Sequence, residues 1–270
     1  MLELSAPRLR AGLASMDRQL GLDKNTLKRS KTTLIKTLKG GKQLTRDELE
    51  LALQRNGINT DGLRSTHLMF HAELDGIVCS GGRRGKQFTY ALLDERVPHT
   101  PALERDQALA ELAKRYFISR GPATVQDFEW WSGLTLTDAR KGLDFIKSKL
   151  INEVLNGQMY WFADSMPTKL PAPTAHLLPN YDEYTVGYAD RSAIFETAHT
   201  NKLDSRGNIL FQNALVLDGR AAGTWRRTIK KQEVVLELAL FRKLTKPEER
   251  AVVAEAERYG NFLGLAVVLA

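Results

Sequence analysis

Apolar positions fall into three blocks of different rhythm. In the first, Leu27, Lys31, Leu34, Ile35 and Leu38 keep helical spacing, with the Lys31 stem at the edge of the stripe, and Gly40-Gly41 stops the helix. Thr45-Arg-Asp-Glu48 has capping-box spacing and precedes Leu49, Ala52 and Leu53, a second helix ended by Gly57. A third is predicted from about Asp61, with Leu63, His67, Phe70 and Leu74 on one side and Asp75-Gly76 closing it. Alternation then replaces helical spacing: Ile77–Cys79 and Phe88–Leu92 flank Gly81-Gly-Arg-Arg-Gly-Lys86, a β-hairpin with a glycine-rich basic tip.

The same order returns. Leu109, Leu112, Ala113 and Tyr116 mark a helix ending at Gly121-Pro122, and Thr124-Val-Gln-Asp127 opens a short one holding Phe128, Trp130 and Trp131. Thr135-Leu-Thr-Asp138 caps a third, with Ala139, Leu143, Ile146 and Leu150 on its apolar face. Ile151–Leu155, Asn156-Gly157 and Gln158–Phe162 then read as a hairpin, because Asn-Gly suits a two-residue turn with positive φ. The two capped helices start roughly 80 residues apart, as tandem small domains would place them. Three helices followed by a hairpin is the winged helix-turn-helix order. Beyond three prolines in Met166–Pro173 the pattern turns to strands: Ala214–Leu217, a turn at Asp218-Gly219, Arg220–Trp225 and Glu233–Phe241. Thr245-Lys-Pro-Glu248 opens a helix whose buried face is Val252, Ala256 and Tyr259. The expected fold is α+β: tandem winged helix-turn-helix units over 1–97, with preceding helices, and 98–165, then a small β-barrel-like domain with a packed helix over 174–270.

Charge sharpens this picture. The chain of 270 residues has a net charge of +7, which suits a polyanionic partner. Arg83, Arg84 and Lys86 at the first hairpin tip are candidate DNA-phosphate contacts, since glycine lets the backbone approach while the side chains supply charge. Arg64 and Arg140, on the third helix of each unit, and Arg226 and Arg227 beside a strand end join them; for the last two, salt bridges to an acidic cluster are the competing reading. Residues 24–42 carry seven basic side chains and no acidic one, a run read as a solvated helix face. The second hairpin tip has no basic residue and is read as structural. A single cysteine, Cys79, allows no internal disulfide or multi-cysteine metal site. Neither a signal sequence nor a membrane-length apolar run is present, so a soluble, cytoplasmic protein is expected, nucleoid-associated if DNA is its partner.

The densest mixture of polar and aromatic side chains is His176–Ser192, where Asp182, Glu183, Asp190 and Arg191 lie among Tyr181, Tyr184 and Tyr188. Its place between the helical and strand-rich blocks marks it as a joint and a candidate ligand-facing surface. Its carboxylates could in principle supply a base, but next to arginine and tyrosine a hydrogen-bonded structural network is preferred. A metal site from His176, Asp182 and Glu183 has no supporting ligand spacing. His67 and His71, one helical turn apart, lack the intervening glutamate of a zinc-protease motif and are read as core or edge residues. Trp130 and Trp131 are read as core in preference to a stacking platform.

Three blocks together carry a resemblance: Pro122–Arg140, Leu178–Ser192 with its Pro-Asn-Tyr-Asp-Glu-Tyr, and Gly223-Thr-Trp-Arg-Arg227. In this order they resemble the bacterial winged-helix DNA glycosylases, the AlkZ/YcaQ-like family, from Arg8 to about Leu265. The resemblance implies tandem winged helices with a C-terminal β-barrel, double-stranded and damaged DNA as partner, and cofactor-free cleavage of the N-glycosidic bond of alkylated or crosslinked bases. It also implies a catalytic Gln-x-Gln or Gln-x-Asp motif in an additional N-terminal winged helix. No glutamine of this chain has Gln or Asp two positions on, so no catalytic residue is carried over and the chain is expected to begin after that unit. An active glycosylase, a sequence-specific tandem winged-helix regulator and a non-catalytic homologue that only binds DNA or protein are the competing readings.

Overall fold

The computed structural model describes residues 1–98, 101, 103–165, 173–195 and 212–270. The proline-marked boundary at 166–173 lies outside them except for Pro173, as does part of the linker at 98–101. Two compact units emerge, one formed by 1–112 with 132–142, the other by 113–131 with 143–270.

In the first unit α1 (Leu2–Gln19) precedes α2 (Lys24–Leu38), the two-residue strand β1 (Leu44–Thr45), α3 (Arg46–Arg55) and α4 (Leu63–Leu74). The strands β2 (Val78–Ser80) and β3 (Thr89–Leu92) follow, then the single turn α5 (Leu93–Arg96). Leu34, Leu38, Leu49, Leu53 and Leu68 from α2, α3 and α4 are fully buried together with Val78 and Leu92. The capping box is formed on both sides: Glu48 N donates to Thr45 Oγ1 and Thr45 N to Glu48 Oε2. β1 adds to β3, giving a three-stranded sheet of order β1-β3-β2 where only the hairpin was expected.

Helix α1 falls where a preceding helix was expected, and its docking is mostly polar. Among its buried residues only Leu4 and Ala6 are apolar. It is held by polar contacts instead. Arg10 donates to Leu74 O (2.8 Å) and pairs with Asp75 (2.6 Å). Asp17 takes both histidines of α4, His67 Nδ1 at 3.1 Å and His71 Nε2 at 2.9 Å, which fixes them as packing residues.

The second helix run comprises α6 (Arg105–Arg120), α7 (Val125–Ser132) and α8 (Leu136–Asp144), each cut by the division between the units. α8 ends one and a half turns earlier than its apolar spacing predicts: the chain tightens into a 3-10 turn at Lys147–Lys149, with Ile146 N bonded to Leu143 O. β4 (Ile151–Leu155) and β5 (Gln158–Phe162) pair in the register that Asn156-Gly157 dictates, both turn residues having positive φ.

The strand-rich part of the second unit is larger than expected. β6 (Ala175–Leu178) is followed by the one-turn helix α9 (Glu183–Val186), then β7 (Asn213–Leu217), β8 (Arg220–Ile229), β9 (Glu233–Leu240), α10 (Lys246–Leu263) and β10 (Ala266–Leu269). They form one five-stranded sheet of order β10-β9-β8-β7-β6, a half-barrel rather than a closed barrel among the described residues. β10 returns parallel to β9 after α10, a β-α-β crossover. Leu215, Leu217, Trp225, Val234 and Leu236 pack with Val252 and Ala256 of α10. Gly223 is required where β8 passes β9, since a Cβ there would lie 2.6 Å from Ala239 O. No helix among the described residues is long and apolar enough to cross a membrane.

Candidate nucleic-acid interface

The β2–β3 hairpin is braced from within its own unit. Gly82 N donates to Gln43 Oε1 (2.6 Å), and Arg84 and Gln87 exchange backbone bonds of 3.0 and 3.1 Å across the tip. Arg84 turns back: its guanidinium binds Glu48 Oε1 (2.8 Å) and Gln43 O (2.6 Å). The Glu48 carboxyl is held below its ordinary range, first by the Thr45 amide and then by Arg84. Arg84 is therefore a brace, tying the hairpin to the start of α3. Arg83 points elsewhere, its guanidinium 4.3 Å from the centroid of Phe88, a ring 65% exposed. Lys86 is exposed and has no ion-pair partner among the described residues. Of the three tip cations, Arg83 and Lys86 face solvent.

The other candidate cations divide the same way. Arg64 is half-buried; its Nε donates to Asn59 O (3.0 Å) and its Nη1 to Leu20 O, so it staples α4 to the end of α1. Arg140 is exposed on α8. Arg226 and Arg227 are successive strand residues and point to opposite faces of the sheet. Arg227 shares the face of buried Trp225, lies 5.7 Å from the Tyr259 ring centroid and donates to its hydroxyl, whereas Arg226 is exposed opposite Glu237 on β9. Their side chains therefore face apart, and neither pairs with the 182–190 carboxylates.

The acidic-aromatic stretch folds onto the helices of the second unit. Glu183 accepts from Arg120 Nε (3.0 Å) and Nη2 (2.8 Å) and from Trp131 Nε1. Asp182 caps α9 through the Tyr184 amide (2.9 Å). Tyr184 donates to Gly219 O (2.8 Å) and Tyr188 to Arg120 O (2.8 Å). Asp190 accepts from Ser192 N (2.8 Å); the Ser192 amide and then its hydroxyl hold this carboxyl below its ordinary range. Beneath them Tyr116, Phe117 and Phe128 form a fully buried ring cluster with centroids 5.1–5.5 Å apart, and burial pushes the Tyr116 hydroxyl up. Arg191 lies 5.4 Å from the Trp130 centroid.

The hub of this network is Asp127, which the sequence marked only as a helix-start residue. It is 3% exposed. Oδ2 accepts from Thr124 N and Oγ1, both at 2.8 Å, while Oδ1 takes the amides of Ala189 (2.9 Å) and Asp190 (3.4 Å). Four donors satisfy a buried carboxylate and lock the 181–192 stretch to α7. The carboxylates are thus hydrogen-bond acceptors in a packed joint. No group of three or more His, Cys, Asp or Glu among the described residues is placed to hold a metal ion, and His176 lies on β6, outside any ligand cluster.

A helical first unit with a braced hairpin and a second unit built on a half-barrel have a known counterpart. The model of the family described as DNA glycosylase AlkZ-like matches residues 1–262. The chain belongs to the AlkZ-like DNA glycosylase family. A curated relative, the interstrand DNA cross-link repair glycosylase of Streptomyces sahachiroi, is 26% identical over 170 residues, 60% of this chain and 45% of that protein. The chain therefore matches less than half the length of that relative. The solved structure of the S. sahachiroi DNA glycosylase AlkZ superimposes with a TM-score of 0.71 over 95% of this chain and 72% of that chain, at 22% identity, a likeness of fold. Among the candidate cations of this AlkZ-like chain, Arg64, Arg84 and Arg227 are tied into the fold by their hydrogen bonds, while Arg83, Lys86, Arg140 and Arg226 make no side-chain hydrogen bond among the described residues.

Proposed function

We propose that this chain holds damaged duplex DNA, as the DNA-gripping part of an AlkZ-type glycosylase architecture. The observation that carries the reading is the wing tip: a braced, glycine-rich hairpin presenting Arg83 and Lys86 to solvent on an AlkZ-like fold. Such a tip binds phosphate oxygens without reading sequence, so affinity is electrostatic and falls steeply with salt. The two helix–helix–helix–hairpin runs, 24–92 and 105–162, support tandem winged-helix units, with the half-barrel as a third domain. Arg140 and Arg226 extend the cationic surface of the second run and the sheet. The β8–β9 turn carries Ile229, 55% exposed, beside Lys230 and Lys231, an apolar wedge with flanking charge suited to the minor groove. A cytoplasmic, nucleoid-associated location accompanies this reading.

Excision of alkylated or crosslinked bases needs a group that orients water against the glycosidic carbon and stabilises the sugar cation. Asp182, Glu183 and Asp190 are spent on a cap, an arginine-indole pair and a local amide, so they are assigned to structure. The test is base release from duplex DNA carrying an alkylated purine, run beside binding to that duplex and to undamaged duplex at two salt concentrations. Salt-sensitive binding favouring the lesion, without release, is the expected result. Release abolished by Asp190→Asn would transfer that residue to the catalytic machinery. Tight binding to one undamaged sequence would turn the reading towards a regulator.

A further inference from the structure

We infer that Trp130 is a stacking platform for one unpaired nucleobase, a site that deepens the DNA-holding reading and rests on it. The neighbouring indoles of α7 have different fates. Trp131 is consumed: its ring lies 5.1 Å from Tyr116 and 4.6 Å from the Arg120 guanidinium, and its Nε1 donates to Glu183. Trp130 is 55% exposed. Its exposure is not slack, because Nε1 donates to Val186 O at 2.9 Å and fixes the ring plane. A ring held still before its ligand arrives gives up little conformational freedom on stacking. Arg191 lies over one face, 5.4 Å from the ring centroid, and makes no ion pair with a carboxylate among the described residues. Its Nε is buried and has no hydrogen-bond partner among the described residues.

An exposed indole with an unpaired guanidinium over one face calls for a ligand that brings a π-surface to the other and a negative charge, in one piece. A nucleotide does so: the base covers the indole while its phosphate faces Arg191. Bases inside a duplex are already stacked on their neighbours, so the ligand is an unpaired one, at a single strand, a gap or a displaced nucleotide. Sequence preference is not expected, since every base has a π-face.

The experiment compares wild type, Trp130→Ala and Trp130→Phe for equilibrium binding to a fluorescein-labelled oligothymidylate and to a fully paired duplex of equal length. W130A is expected to lose about 5- to 150-fold in affinity for the single strand, the range of one base–aromatic stack, and less than about twofold for the duplex. W130F keeps a ring but loses the bond to Val186 O, so it is expected to stay within about threefold of wild type on both. An unchanged W130A, or equal losses on both DNAs, overturns the platform while leaving the duplex reading intact. A W130F loss matching that of W130A also overturns it, by showing that the indole N–H and not the face matters. Wild type that binds neither DNA overturns both readings.

Discussion

Arg83 and Arg84 are neighbours in sequence and opposites in role. Replacing Arg83 and Lys86 together by alanine is expected to weaken duplex binding and lower the slope of log K against log salt by about 2, one phosphate contact each, without changing the unfolding midpoint. Arg84→Ala is expected to do the reverse, costing about 1 kcal/mol in urea denaturation, because half-exposed ion pairs are screened and the backbone contact to Gln43 is lost with it. Parity along β8 divides Arg226 from Arg227 in the same manner. The sequence shows where cations are abundant; which of them turn back depends on carbonyls and carboxylates tens of residues away, so the site was legible as a region and not as a residue set. Asp127 makes the point from the other side. Only its bonds to Thr124 are local, and its two amide donors come from Ala189 and Asp190. Asp127→Asn turns an acceptor into a donor facing N–H groups, and a loss of about 2–4 kcal/mol is expected in equilibrium unfolding monitored by near-ultraviolet dichroism.

At the scale of elements, what is local was readable. Both Thr-x-x-Glu boxes form, at Thr45–Glu48 and Thr245–Glu248, because a cap is decided within four residues. Asn156-Gly157 sets its hairpin for the same reason. β6 and β10 escaped notice: each has only four residues, and their pairing with β7 and β9 is decided across the fold. α1 was expected only as an unplaced preceding helix, and it is held by charge more than by an apolar stripe. The second box also gives a pH prediction. Arg242 and then the Thr245 amide lower the Glu248 carboxyl from 4.5 to about 2. A depressed carboxyl contributes stability that is present above its unfolded pKa and is lost as pH falls through the folded one. The difference in melting temperature between wild type and Glu248→Gln is therefore expected at pH 6–7 and should shrink from about pH 4.5 towards 2. A gap unchanged at pH 3 would show that the charge of Glu248 does not matter to α10.

At the scale of the molecule, one surplus of positive charge is divided between holding the fold together and facing outward. Arg64, Arg84, Arg120 and Arg227 are held by hydrogen bonds within the fold; Arg83, Lys86, Arg140 and Arg226 are exposed and make no such bond among the described residues. Duplex affinity of the wild-type chain is accordingly expected to fall with salt with a slope near −3 to −4, set by those four contacts rather than by the net charge of +7. A slope near −7 would mean that the paired arginines also reach phosphate. The α+β class and the order of helices and hairpins could be read from periodicity alone. The half-barrel's two outer strands, β6 and β10, and the division between units could not, because both arise from contacts that no short window contains.

The Asp127 hub also has a consequence in time. Its last donors are encoded 62 and 63 residues downstream, as is the glutamate that receives Arg120. At a synthesis rate of about 5–20 residues per second, α6 and α7 wait roughly 3–12 s on the ribosome with a carboxylate, a guanidinium and two indoles lacking their partners. Substitutions in 181–192 should therefore register first as lost yield of newly made chain, rescued by slower growth or more chaperone, before they register in the stability of the protein already folded.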